Sequence, residues 1–160
     1  MAFTAERTSR RSTIILTAPL ERVFPLFGAL EETKWAPGWS PKVVFTDSGA
    51  MQDQMVFTTE GEQELEANYT WTVSRYEPDN GVVEYTVFTP DRLWRIAIKC
   101  RRLTDKGHTE AEVCYTYTGL NEKGNELNRR ALAQMFTHDL KDWEYQMNHY
   151  LETGQKLSHT

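Results

Sequence analysis

Long apolar runs are missing from this chain of 160 residues. A membrane-spanning helix needs about 20 consecutive apolar residues, and nothing here approaches that, so no membrane span is expected. The first apolar stretch, Thr13 to Leu20, follows Arg7, Ser9, Arg10 and Arg11, a grouping shared with twin-arginine export signals. Pro19, Glu21 and Arg22 interrupt it and no small-residue cleavage site comes after, so export is not expected. Cysteine is scarce. Cys100 and Cys114 are the only two, they carry no paired-cysteine metal motif, and free thiols suit a reducing cytoplasm. An excess of positive charge is also absent. A net charge of -5 with mixed signs favours solubility and offers no field for a phosphate backbone, which argues against nucleic acid as a partner. A serine nucleophile elbow, a phosphate loop and a dinucleotide fingerprint are all lacking, which removes the commonest enzyme classes.

Aromatic residues are plentiful. They make up 12% of the chain and include five tryptophans, against an ordinary background of 39% hydrophobic and 26% charged residues. The length suits one domain spanning 1–160, able to bury about two thirds of its unfolded surface. From Gln63 to Thr118 an aromatic or aliphatic residue alternates with a charged or small polar one four times over. Strands are predicted over Ser9 to Thr17, Lys42 to Thr46, Gln54 to Glu60, Gln63 to Tyr76, Val82 to Phe88, Leu93 to Leu103 and His108 to Thr118. Turn chemistry such as Pro78-Asp79-Asn80-Gly81 separates them, and short connections imply antiparallel hairpins. If a loop over Thr104 to Gly107 sets Leu103 opposite His108, then Lys99 faces Glu112 and Arg101 faces Glu110. On the other side of the same hairpin Ile98 meets Val113, Ile96 meets Tyr115 and Trp94 meets Tyr117. Each such pair is worth roughly 0.2 to 1 kcal/mol, and a slip of one residue would lose them all. This register puts Cys100 and Cys114 on opposite faces.

Two short helices are predicted after the first strand. Pro19 starts one, Pro25 kinks it and Gly28 ends it, and Leu30 to Trp35 forms the other before the punctuated loop Trp35-Ala36-Pro37-Gly38-Trp39. A single long helix is predicted from between Asn121 and Glu126 to about Thr153, with Gly154 as its stop. Its core stripe is Leu132, Phe136, Leu140, Trp143, Met147, Tyr150 and Leu151. His138, Asp142, Tyr145 and His149 line up on the nearly opposite face. That face is expected to meet solvent or a second copy of the chain rather than a metal, since the closer spacings of zinc ligands are absent. No metal and no cofactor are expected.

The fold class read from this order is α+β: a curved antiparallel sheet of about seven strands wrapped around a long C-terminal helix, with two short helices after strand 1. Together with the pieces Ala18-Pro19-Leu20-Glu21-Arg22-Val23-Phe24 and Trp35-Ala36-Pro37-Gly38-Trp39, it resembles the START-like helix-grip superfamily, which includes polyketide cyclases, lipid-transfer domains and pollen-allergen relatives. The resemblance implies an elongated apolar cavity between sheet and helix. Its candidate lining is Tyr69, Trp71, Tyr85, Trp94, Tyr115 and Tyr117 from the sheet and Phe136, Trp143 and Met147 from the helix, with Trp35 and Trp39 at the mouth.

The same aromatics can instead fill a core, which is the commoner use of any one of them. Several tyrosine hydroxyls in a dry core would each need a partner, at about 1 to 3 kcal/mol per unmade hydrogen bond. A cavity holding water or ligand would supply partners. The acids of the central strands fall on the outer phase or at strand ends. Arg75 and Arg102 share the inner phase only near the rims, where ion pairs open to solvent are expected. The leading expectation is therefore binding of a hydrophobic small molecule such as a lipid, isoprenoid, quinone or aromatic metabolite. The alternatives are an enzyme resembling polyketide cyclases or aromatases, and a protein-interaction module resembling chaperone regulators.

Overall fold

The computed structural model describes residues 2–62, 66–103, 107–138 and 140–157, with the side chains of 136–138 outside the description. Seven strands form one antiparallel sheet in the order β1-β7-β6-β5-β4-β3-β2. They are β1 (Arg7–Leu16), β2 (Lys42–Phe45), β3 (Val56–Thr59), β4 (Tyr69–Glu77), β5 (Val82–Phe88), β6 (Arg92–Leu103) and β7 (His108–Gly119). β2 to β7 run as a meander, and β1 closes the sheet by pairing with β7 from the other side. The expected hairpin register holds throughout β6 and β7: Lys99 lies opposite Glu112, Arg101 opposite Glu110, Ile98 opposite Val113, Ile96 opposite Tyr115 and Trp94 opposite Tyr117. Most of the loop expected over Thr104 to Gly107 falls outside the described residues. Cys100 is buried on the inner face, Cys114 sits on the outer one, and both thiols are free.

The covered face is apolar and the other wet, as alternation requires of an antiparallel sheet with one packed side. Val73, Val83, Val87, Ile96, Ile98 and Val113 are almost wholly inaccessible to solvent. The strand expected from Gln63 starts at Tyr69 instead. β3 is only four residues long and pairs with Tyr69–Thr72, so the residues just before Tyr69 have no ladder to join. Glu66 turns inward there to meet Arg92. The segment 63–65 lies outside the described residues.

Pro19 N-caps α1 (Leu20–Val23), and a 3-10 turn over Phe24–Phe27 follows with Pro25 in its first positions, where a missing N–H costs nothing. A second 3-10 turn spans Glu31–Lys34. Tyr85 of β5 ties the first turn down by donating its hydroxyl to the Phe27 carbonyl at 2.6 Å.

The single long helix is not observed. It is two helices, α2 (Glu122–His138) and α3 (Lys141–Thr153), separated at Leu140, whose φ of 62° is left-handed. A non-glycine residue pays about 1 to 2 kcal/mol for that conformation. Burying a leucine side chain returns about 1.5 to 3 kcal/mol, and Leu140 is only 8% exposed. The break therefore costs little. α2 packs on β6 and β7, while α3 packs on β1. Glu144 and Asn148 of α3 accept from the backbone N–H groups of Ile15 and Thr17 at 2.7 and 2.9 Å, and the Asn148 amide returns a hydrogen bond to the Ile15 carbonyl. The free edge of β1 is thus covered by a helix, one of the ways sheets avoid edge-to-edge pairing.

Candidate functional site

Between the concave face of the sheet, the Trp35–Trp39 loop and the junction of α2 with α3 lies a cavity of about 470 Å³, open on one side. That is within the usual range for small-molecule sites. β4 contributes Tyr69 and Trp71, β5 Tyr85, β6 Trp94, Ile96 and Ile98, and β7 Tyr115 and Tyr117. Trp143, Gln146, Met135 and Leu140 close it from the helices. Strand alternation brings the sheet residues to one face, since each is two positions from the next on its own strand. Trp35 and Trp39 line the cavity as well. Their indole N–H groups are spent on the carbonyls of Leu26 and Ala29, both at 2.7 Å. Trp35 is fully buried, so it anchors the loop, while half-buried Trp39 packs edge-on against Trp71 at 5.4 Å.

Of the aromatic and apolar residues expected at this site, Met147 is absent from the lining. It is fully buried in the core. Phe136 lies on α2, but its side chain falls outside the described residues. Asp142, on the stripe expected to face solvent, is exposed and also borders the cavity. The break at Leu140 re-phases α3 against α2. Tyr145 of the same stripe is 65% exposed, whereas the His138 side chain falls outside the described residues. Among the described residues no group of three or more His, Cys, Asp or Glu is placed to hold a metal ion. Arg75 and Arg102 form exposed ion pairs with Glu77 and Glu21.

Alternation in the central strands did not reveal the ionisable groups that the cavity contains. Glu32, Glu62 and Arg92 all line it. Glu32 sits on the second 3-10 turn, three residues before Trp35, the spacing at which side chains eclipse in such a turn. Protein surrounds its carboxyl, which nevertheless faces the cavity, and desolvation pushes it up to about 8. Glu62, at the rim, is also raised by burial, opposed by the charge of Arg92. Arg92 was legible in principle, because the inner phase Trp94, Ile96, Ile98 extends back to it by one step.

The Arg92 guanidinium is almost fully committed. Its Nε and Nη2 donate to the two carboxylate oxygens of buried Glu66 at 2.7 and 2.8 Å, and Nη1 reaches Asn128 at 3.3 Å. It also stacks over the Trp94 ring at 4.4 Å. Such a buried bidentate pair is costly to break from one side, about 3 to 5 kcal/mol.

The tyrosines divide by their partners. Tyr69 donates to Glu66 at 2.6 Å, and burial together with that carboxylate pushes its phenol up to about 12. Tyr85 is spent on Phe27, and Tyr117 reaches only the Met135 sulfur at 3.5 Å. Tyr115 has no hydrogen-bond partner among the described residues, and burial raises its phenol well above the ordinary value, with the charges of Tyr117, Glu32 and Glu62 adding to the effect. The arrangement offers a ligand broad aromatic walls, one uncommitted phenol, and a carboxyl whose burial favours its protonated form.

The fold is a helix grip: a curved seven-stranded antiparallel sheet, short helices after the first strand, and a C-terminal helical arm enclosing a cavity. Solved structures agree. Norcoclaurine synthase from Thalictrum flavum, in complex with dopamine and hydroxybenzaldehyde, superposes with a TM-score of 0.65 at 9% identity, over 92% of this chain and 87% of that one. An uncharacterised protein from Rhizobium leguminosarum gives a TM-score of 0.63 at 15% identity, over 93% and 99% of the two chains. Ara h 8.0201 gives 0.58 at 10% identity, over 89% and 99%. These likenesses are of fold. No protein-family model matches the sequence, and no curated protein does.

Proposed function

We propose that this chain, acting as a single domain over 1–160, binds a small apolar or aromatic molecule in the cavity between sheet and helices. The observation that carries the reading is the cavity itself, about 470 Å³ walled by indole and phenol rings and open on one side. Burying apolar surface there supplies about 25 cal/mol per Å², and Tyr115 is free to orient a polar substituent. The helix-grip neighbours include a synthase holding an aromatic amine and an aromatic aldehyde, which supports a ligand of that size. Two free thiols fit a reducing cytoplasm as the place where this occurs.

Native mass spectrometry of freshly purified protein, followed by denaturation and identification of any released molecule, tests the reading. A stoichiometric adduct that is lost in Tyr115→Leu, with the variant folded normally, is the expected result. An adduct unchanged in that variant would remove Tyr115 from the site.

Glu32 favours a second reading, an enzyme in the style of polyketide cyclases. A carboxyl poised near 8 in an aromatic cavity has the protonation range that acid–base chemistry uses at neutral pH. In that case Glu32→Gln abolishes consumption of the released ligand or its precursor while retaining the adduct. Turnover unaffected by Glu32→Gln would exclude it.

A further inference from the structure

We infer that the cavity selects ligands carrying a protonated aliphatic nitrogen on an apolar frame, with the ammonium group seated against Glu32. The inference rests on the ligand-binding reading and adds the charge of the ligand. Among the described residues three carboxyls line the cavity, with Glu32 inside and Glu62 and Asp142 at the rim, against one base, Arg92. That base is already used: Glu66, which lies outside the lining, takes it bidentately. A fatty-acid or phosphate head would find no uncommitted cation among the described lining residues. A cation would meet the opposite.

Glu32 itself is placed to receive one. Its carboxyl has no ion-pair partner among the described residues, because the neighbouring Lys34 pairs with Glu31 at 2.6 Å. The groups facing it are phenols, Tyr85 from β5 and Tyr115 from β7, which burial keeps neutral. Farther along the same cavity stand Glu62, Arg92 of β6 and Asp142 of α3. Trp143 and Trp39 also line the cavity, and aromatic rings attract cations most strongly where water is excluded. Carboxyl, indole and phenol together form the kind of surround that ammonium groups seek.

The protonation balance follows. In the free protein desolvation keeps Glu32 protonated up to about pH 8. The amine arrives as an ammonium ion, Glu32 gives its proton to solvent, and a carboxylate–ammonium pair remains. Below pH 8, binding therefore releases a proton, and affinity rises with pH by up to about tenfold per unit. A neutral ligand would bind without either effect.

The experiment uses the intact chain and a matched series, 4-phenylbutylamine, 4-phenyl-1-butanol and 4-phenylbutyrate, titrated calorimetrically at pH 6, 7 and 8. Each titration is repeated in phosphate and in MOPS, which take up protons with different heats, so that the difference in heat counts protons. The amine is expected to bind about tenfold or more tighter than the alcohol at pH 8, with the butyrate weakest and proton release seen only for the amine. Glu32→Gln should flatten most of the amine's pH slope and abolish its proton release. Alcohol or butyrate binding as tightly as the amine overturns the inference while leaving the cavity reading intact. So does amine binding with no proton release at pH 6 and 7. If none of the three binds, the cavity reading falls with it.

Discussion

Glu32 is an acid whose surroundings favour its proton, and that preference makes the stability of the fold depend on pH. In the unfolded chain the carboxyl titrates near its ordinary 4.5, whereas in the fold desolvation moves it to about 8. Between those values the folded state holds a proton that the unfolded state has lost, so stability falls as pH rises. The advantage of the protonated form is complete below about 4.5, declines through the interval, and is gone above about 8. Glu32→Gln carries no such proton. Urea unfolding should show the variant gaining on the native chain by roughly 1 to 3 kcal/mol between pH 5 and pH 8.5, once screening by cavity water is allowed for. An equal difference at both pH values would mean that the carboxyl is well solvated. Arg92 is the opposite kind of residue, a charge completed by Glu66 and Asn128 that belongs to the framework of the cavity.

Among the elements, the start of α2 shows how closely helix and hairpin are fitted. Asn121 accepts from the Gly124 N–H at 2.8 Å as an N-cap and donates to Asp91 in the β5–β6 turn at 2.9 Å. A Cβ at Gly124 would lie 1.8 Å from the Asp91 carbonyl oxygen. In an exposed helix Gly→Ala gains up to about 1 kcal/mol. Here backbone must move, and overpacking of this kind costs about 1 to 3 kcal/mol. Gly124→Ala is therefore expected to lower the urea midpoint, and a variant more stable than the native chain would show that the hairpin yields freely. The hairpin of β6 and β7 was legible in the sequence because two independent patterns, charge pairs outside and aromatic–aliphatic pairs inside, allow one register only. The break between α2 and α3 was not. Leu132, Leu140, Trp143 and Met147 continue the apolar stripe across it, and Leu140 adopts a left-handed backbone with no glycine or proline to mark it. Glu32 and Asp142 escaped for related reasons: a 3-10 turn is too short to show a period, and Asp142 takes its place from the break.

At the scale of the whole molecule, the two edges of the sheet are treated differently. β1 is capped by Glu144 and Asn148 of α3, whereas β2 is an exposed edge in which Val43, Val44 and Phe45 are 41%, 62% and 56% exposed. An apolar edge strand with free backbone groups is a site for self-association. Sedimentation velocity across a concentration series should show weak association that Val44→Lys reduces without loss of fold. Identical profiles for both chains would show that the edge is inert. No helix among the described residues is long and apolar enough to cross a membrane.

All five tryptophans, Trp35, Trp39, Trp71, Trp94 and Trp143, stand in the wall of that cavity. The near-ultraviolet emission of the protein therefore arises largely beside the cavity, and rings about 5 to 6 Å apart, such as Trp39 with Trp71 and Trp35 with Trp143, pass excitation between them. A ligand entering the cavity is therefore expected to change the protein's own fluorescence, with no label attached.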